Sequence, residues 1–457
     1  MVLRWLLRRS VARVPDPSRR PFPLGDLRRA RSLHPHSEIS VRVLFLSEYC
    51  PFDLRTDVFG VFKRMRMLLE AVKTFGDLDV LFFAQLGVDT SPAVARRLED
   101  SLEAAWGLRI NAFIRAQEIA NPRPIRTRVP FWIRCLSRGA VTYDTRLSLN
   151  NSHEPSLQAL TQCLDREPDL IFAFRLGSMA PLMMQLDRPL APIFFDLDDA
   201  EHVKAMRTAQ GIPGLTPRAR AYAAVPVLWW SEYRAMALAR RTFVSSNRDV
   251  DRFARFPRSA HRVLVPNAVV IPSPEPSPPE ATLLYLGPYL YGPNVEAAEY
   301  LIREIWPQVR VRRPDARLLI AGAEPERIPS HASPPPGVEF LGFVPDLAAL
   351  YRRTRLVCCP IRVGAGTRFK ILEAAAHGKP IVSTTVGAEG IEFRDGQEIL
   401  LRNDAASFAT ACLQVLADSS LARRLGAAAR EVVRERYDRD VVIAAVRKAL
   451  MAILEAP

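Results

Sequence analysis

Leu356-Val357-Cys358-Cys359-Pro360-Ile361-Arg362-Val363-Gly364-Ala365-Gly366-Thr367-Arg368-Phe369-Lys370-Ile371-Leu372-Glu373-Ala374 is the stretch on which the reading of this chain turns. It opens with a β-branched and apolar run through Ile361. It closes with a helical pattern that continues to His377 and stops at Gly378. The order is therefore buried strand, glycine loop, helix. Gly364 and Gly366 let the backbone turn tightly and approach a ligand closely. A helix N-terminus presents N–H groups and a partial positive charge, which suits phosphate. Arg368 and Lys370 fall in the first turn, beside that anion site, and Glu373 follows where a carboxylate could accept hydrogen bonds from sugar hydroxyls. Together these imply a pocket for a phosphorylated, hydroxyl-rich ligand such as a nucleotide sugar.

Two familiar phosphate loops are excluded. Gly378-Lys379 is followed by Pro380 rather than Ser or Thr, so there is no Walker A loop, and Phe369 stands where a dinucleotide fingerprint has its third glycine. From the residues alone, a plain strand-to-helix turn with solvated Arg362 and Lys370 stays open as the alternative.

Outward from this loop, strand-like and helical segments alternate, which indicates parallel α/β domains. In the N-terminal half the expected strands are Val41–Leu46, Leu78–Phe83, Leu170–Ala173, Pro192–Phe195 and Thr242–Ser245. The proline-rich run from Ile271 to Pro279 reads as a linker. A second series follows: Leu283–Leu286, Arg317–Ala321, Val338–Leu341, Leu356–Pro360 and Pro380–Thr384. The expected organisation is a basic extension over 1–40, a Rossmann-like domain over 41–271, a second over 272–437 and a closing helix within 438–457. Two such domains leave a cleft outside the strand C-termini, where folds of this kind bind ligands.

Bulk properties bound the function. The chain has 457 residues, 48% of them hydrophobic, enough for two full cores. The net charge of +14 comes mostly from arginine, since the lysines are only Lys63, Lys73, Lys204, Lys370, Lys379 and Lys448. No nucleic-acid motif accompanies the charge, so anionic lipid or an anionic nucleotide is the expected partner. No apolar run approaches membrane-span length. Cys50, Cys135, Cys163, Cys358, Cys359 and Cys412 lack zinc spacing and read as reduced core residues of a cytoplasmic protein. Asn150-Asn151-Ser152 matches a glycosylation acceptor only by chance on this reading. Met1 to Val14 separates apolar and arginine residues on helical faces, so the extension is an interfacial helix, a transit segment or a disordered tail.

The segment from Cys359 to Phe393 resembles the donor-binding core of family 4 (group 1) glycosyltransferases of the GT-B fold. Val41–Ser47, Val265-Pro266-Asn267-Ala268, Leu283–Gly287 and Arg317–Gly322 resemble other family segments in the same order. The resemblance implies two Rossmann-like domains facing a cleft, a final helix returning to the first domain, and no cofactor or obligatory metal. It implies donor contacts from Gly287, Val344, Arg362, Gly364, Ala365, Gly366, Thr367 and Glu373, with Gly60 and Arg64 facing the phosphates across the cleft. Val344 would border the base and Glu373 the ribose. Arg368 and Lys370 would hold the departing diphosphate, and Asp198 takes a place near the reacting sugar.

Two departures from the family pattern stand out. Many members bracket the loop as Glu, seven residues, Glu; the second is Glu373, but the first falls on Ala365. The usual Arg and Lys of the second domain are replaced by Gly287-Pro288 and Gly292-Pro293-Asn294. Charge developing on a leaving diphosphate needs compensation, and Arg362, Arg368 and Lys370 are the replacements. The implied activity is sugar transfer from a nucleoside-diphosphate sugar to a glycan, lipid-linked or small-molecule hydroxyl, with retention. The expected setting is cytoplasmic with peripheral contact to the inner membrane face. A sugar-nucleotide 2-epimerase using Asp196, Asp198 and Asp199, or a non-catalytic nucleotide-sugar binder, are the alternatives.

Overall fold

The computed structural model describes residues 41–52, 59–84, 88–116, 125–141, 153–256, 261–273, 278, 280–364 and 366–454. The extension over 1–40, the sequon at 150–152, Ala365 and most of the proline-rich linker lie outside the described residues.

The first lobe alternates strands β1 (Val41–Ser47), β2 (Gly76–Ala84), β3 (Asn111–Ala116), β4 (Leu170–Phe174), β5 (Ile193–Asp198), β6 (Arg241–Val244) and β7 (Arg262–Leu264). Its helices are α1 (Gly60–Lys73), α2 (Pro92–Trp106), α3 (Ile125–Arg138), α4 (Glu154–Leu164), α5 (Leu176–Met184), α6 (Glu201–Gly211), α7 (Leu215–Leu238) and α8 (Asn247–Arg252). Among the described residues the strands form one parallel sheet ordered β3-β2-β1-β4-β5-β6-β7. Helices cover both faces, so β1 and β4 read as near-continuous apolar runs rather than as alternation.

The second lobe has β8 (Thr282–Leu286), β9 (Arg317–Ala321), β10 (Val338–Gly342), β11 (Leu356–Cys359), β12 (Ile381–Ser383) and β13 (Leu400–Leu401). Their order is β10-β9-β8-β11-β12-β13, again parallel. Helices α9 (Gly292–Tyr300), α10 (Trp306–Arg312), α11 (Leu347–Arg352), α12 (Phe369–Ala376), α13 (Ala405–Ala417) and α14 (Ser419–Arg436) flank it. Several have carboxylate N-caps: Asp346 accepts from the Ala349 N–H at 2.9 Å, and Asp404 from the Ser407 N–H at 2.9 Å. Strand order reverses between β1 and β4 and between β8 and β11, and at such switch points the strand C-termini open a crevice.

The last helix, α15 (Arg439–Leu454), packs on α1, and its Val442, Ile443, Val446 and Leu450 are buried in the core of the first lobe. The chain thus crosses between lobes twice. The return crossing is pinned by the Val269 N–H donating to the Tyr437 carbonyl at 2.9 Å and the Arg439 N–H to the Val269 carbonyl at 3.0 Å. Strands β3, β7 and β13 were not expected from the sequence. They lie at or next to sheet edges, two of them are three residues or shorter, and β3 is half-exposed, so none carries a buried apolar run. All six cysteines are free thiols; Cys358 and Cys412 approach at 3.9 Å inside the second core.

Candidate active site

A cavity of about 360 Å³ lies between the lobes, at the strand C-termini of both sheets. The second lobe contributes Gly287 at the end of β8 and the loop that runs into α12: Thr367, Arg368, Lys370 and Glu373. The first lobe contributes Tyr49 after β1, Gly60 at the start of α1, Arg175 after β4, Asp198 and Asp199 at the end of β5, and Lys204 on α6.

The glycine loop has the geometry its residues require. Gly364 and Gly366 have φ of +129° and +80°, a region that side chains rarely adopt. A Cβ on Gly364 would meet the Arg368 guanidinium at 2.9 Å, and one on Gly366 would overlap the Asp199 carboxylate. Arg368 stands at the N-cap position of α12, and its side chain folds back to donate to the Gly366 carbonyl. Lys370 is buried over the Tyr285 ring, 4.3 Å from its centroid, and donates to Asn294 Oδ1 at 3.0 Å. It also lies 2.9 Å from where Gly287 would carry a Cβ, so only glycine fits there without displacing it. Burial pulls the Lys370 ammonium down to about 8.

Carboxylates face this cationic side. Asp198 has φ of +57° and is gripped by Arg175, whose Nε donates to Oδ2 at 3.0 Å, with Arg64 3.5 Å away. Burial opposes its ionisation, but Arg175 and Arg64 hold its carboxyl below the usual range. Asp199 is less tightly held, 3.4 Å from Arg175. Burial and the adjacent Asp198 push it up to about 7. Burial also raises Glu48, which follows β1, to about 7.

Several expected contacts fall elsewhere. Arg64 is fully buried and does not line the cavity. It donates twice to Asp196, at 2.8 and 2.6 Å, and to the Val265 carbonyl and Asn267 Oδ1 at 2.9 and 3.1 Å. A buried carboxylate demands such a partner, so this arginine ties β5 to the turn at the lobe boundary instead of facing phosphate. Arg362 also leaves the site: it stacks on the Tyr300 ring at 3.8 Å and pairs with Glu296. Val344 packs against the second core and does not line the cavity. Asp196 is consumed by Arg64, which removes it from the carboxylate trio read in the sequence. His377 stacks on Tyr351 at 4.4 Å, a packing role.

Glu373 does face the cleft, but it is met there by Lys63 of α1. This ion pair lies between the main cavity and a smaller one of about 250 Å³, which Glu373 also lines together with Leu347, Tyr351 and His377. Lys63, Arg175 and Lys204 were missed as site residues by sequence reasoning, and Asp199 was read only within the carboxylate cluster of the epimerase alternative. A signal existed for the lysines: in a chain with six, Lys63, Lys204 and Lys370 all stand at the cleft. No signal existed for Arg175, whose left-handed φ of +68° at the end of β4 is visible only in the fold.

Residues 280–418 match the family model for glycosyl transferases group 1. That match lies within the second lobe. Among curated relatives, the phosphatidyl-myo-inositol mannosyltransferase of Mycobacterium leprae (strain TN) is 30% identical over 199 residues, which is 41% of this chain and 52% of that protein. The chain spans about half the length of the curated relatives it matches. Among solved structures, sucrose-phosphate synthase from Thermosynechococcus elongatus superposes with a TM-score of 0.61 at 16% identity, covering 91% of this chain and all (100%) of that one. Anabaena HepE in complex with UDP gives 0.61 at 13% identity, covering 90% of this chain and 100% of that one. The fold is therefore GT-B, two parallel-sheet α/β lobes facing a cleft.

Proposed function

We propose that this protein is a glycosyltransferase that moves a sugar from a nucleoside-diphosphate sugar to a hydroxyl acceptor. The observation that carries the proposal is the convergence of Arg368, Lys370 and the N-terminus of α12 on one side of a cavity whose other side is lined by Asp198 and Asp199. Cations at a helix N-terminus stabilise a diphosphate as it leaves, and carboxylates opposite accept hydrogen bonds from sugar hydroxyls. The nucleoside extends past Glu373 towards Leu347 and Tyr351, and its ribose displaces Lys63 from the Glu373 carboxylate.

No side chain in this arrangement is needed as a covalent nucleophile. The departing diphosphate, held by Arg368 and Lys370, takes the proton of the acceptor hydroxyl on the face from which it leaves, and configuration is retained. Family 4 membership, a cytoplasmic setting and a peripheral position at the inner membrane face complete the proposal. The mannosyltransferase relative acts, by its name, on a phosphatidyl-inositol lipid, which favours a lipid-linked acceptor over a free small molecule. The epimerase alternative loses support because Asp196 is tied up by Arg64.

The test starts with thermal stabilisation by UDP, GDP and ADP and their sugars, with UDP first because HepE was solved with it. Release of nucleoside diphosphate that depends on an added acceptor would then establish transfer. Epimer formed without acceptor, or binding without turnover on any acceptor, would replace the proposal by one of its rivals.

A further inference from the structure

Helices α6 and α7 form a hairpin on the first lobe, and its outer surface is unusual for a water-facing element. Leu215, Tyr222 and Trp229 recur at seven-residue intervals on α7 and so share one side of the helix. They are 84%, 38% and 41% exposed. The neighbouring α3 is packed against α7, where Trp230 Nε1 donates to the Leu136 carbonyl at 2.7 Å. On α3, Val129 and Ile133, one turn apart, are 52% and 61% exposed. Exposed apolar side chains recurring on two adjacent helices mark an interaction surface.

The charge around it selects the partner. Neither helix offers a free carboxylate: α3 contains no acid, and the lone acid of α7, Glu232, is buried against His202. Arginines accompany the apolar positions: Arg218 and Arg220 on α7, and Arg134 on α3, which lies 3.6 Å from Asp187. A second copy of this chain would bring Arg218 and Arg220 of α7 against their own counterparts, which disfavours self-association through this helix. Tryptophan, tyrosine and leucine flanked by arginine is instead the composition of a surface that rests in the headgroup region of an anionic bilayer. No single helix among the described residues is long and apolar enough to cross a membrane.

We propose that the outer face of α7 with α3 docks this protein on an anionic lipid surface and that the acceptor is delivered from that surface. The second half rests on the glycosyltransferase reading, and the fold supports it. The same hairpin reaches the cleft through α6, where Lys204 lines the cavity and Arg207 donates to the Gly364 carbonyl of the glycine loop. The hairpin that carries the docking face therefore also lines the cavity.

The experiment is co-flotation of the full chain with phosphatidylcholine vesicles, with and without phosphatidylglycerol. The native chain should float only with the anionic vesicles. A Leu215→Ser, Tyr222→Ser and Trp229→Ser variant should lose at least about tenfold in partitioning, since interfacial binding scales with buried apolar area. Leu215→Ser alone, at the most exposed position, should lose part of it with the melting temperature unchanged. Arg218→Gln with Arg220→Gln should weaken the preference for anionic lipid. Undiminished flotation of the triple variant would overturn the proposal and assign membrane contact to residues 1–40. Concentration-dependent dimerisation abolished by the triple variant, without vesicle binding, would overturn it in favour of self-association. Flotation needs no nucleotide, so it can succeed or fail independently of thermal stabilisation by nucleoside diphosphates.

Discussion

At the scale of single residues, charge decides what the cavity does. Arg368→Ala removes the guanidinium at the head of α12. A charge-assisted hydrogen bond is worth about 1.5–3 kcal/mol, so nucleoside-diphosphate affinity should fall about ten- to a hundredfold. The loss in kcat/KM should be larger if charge grows on the leaving group, which steady-state kinetics would read. Lys370 gives a pH signature. Its ammonium, pulled down to about 8, is the form that binds phosphate. Affinity should be full below that pH and decline as pH rises through it. Isothermal titration above pH 8 should show proton uptake on binding, and Lys370→Ala should abolish both effects. Asp199→Asn tests the carboxylate side. Binding of nucleoside diphosphate should be unchanged, while the extra affinity for the sugar-bearing donor should fall roughly tenfold, the worth of one charge-assisted bond. Asp198 is the more tightly held neighbour, with Arg175 and Arg64 on it, so Asp198→Asn should loosen the end of β5 as well as weaken sugar binding, which a fall in melting temperature beside the loss of affinity would read.

At the scale of elements, the glycine loop of the second lobe is held by the first. Asn267 Nδ2 donates to Thr367 Oγ1 at 2.6 Å, and Arg207 reaches the Gly364 carbonyl at 2.6 Å while also pairing with Glu389. Gly366→Ala should therefore fold but bind donor at least about tenfold more weakly, because a left-handed residue costs roughly 1–2 kcal/mol and the methyl would displace Asp199. Gly396→Ala is the control: its φ is +76°, and no atom lies within 4 Å of the new methyl. It should carry similar backbone strain with donor affinity intact. Equal loss of binding in both would show that strain alone, not the Asp199 contact, governs the loop.

At the scale of the whole molecule, α15 locks the lobes together. Val442, Ile443, Val446 and Leu450 each bury an apolar side chain worth about 1.5–3 kcal/mol in the core of the other lobe. Their sum is comparable to the entire stability of a domain, about 5–15 kcal/mol. Ending the chain at Asp438 should therefore unfold the first lobe, seen as loss of its cooperative melting transition, while the second lobe retains binding of nucleoside diphosphate. Retention of both transitions would mean that the crossing helix is dispensable.

Much of this was legible without coordinates. Local order was written in the residues: apolar runs of strand length, glycines at the strand-to-helix turn, and cations in the first turn of α12 depend on neighbours in the chain. So the two-lobe α/β architecture, the glycine loop and the places of Arg368, Lys370 and Glu373 along it and its helix followed from the sequence. The partners of those residues did not. Arg64 lies one turn inside a helix that starts at the cleft, and nothing local distinguishes a phosphate ligand from a buried ion pair. Asp196, 132 positions away, settles it. Arg362 is two residues from the glycine loop yet turns outward, because Tyr300 and Glu296 meet it from α9. Lys63 met Glu373 across 310 positions, and Asp199 met Gly366 from the other lobe. Sequence determines which groups a segment can offer. Only the packing of distant segments decides which of those groups are neutralised in the fold and which are left facing the cavity, because electrostatic and hydrogen-bond energies depend on separation in space and not along the chain.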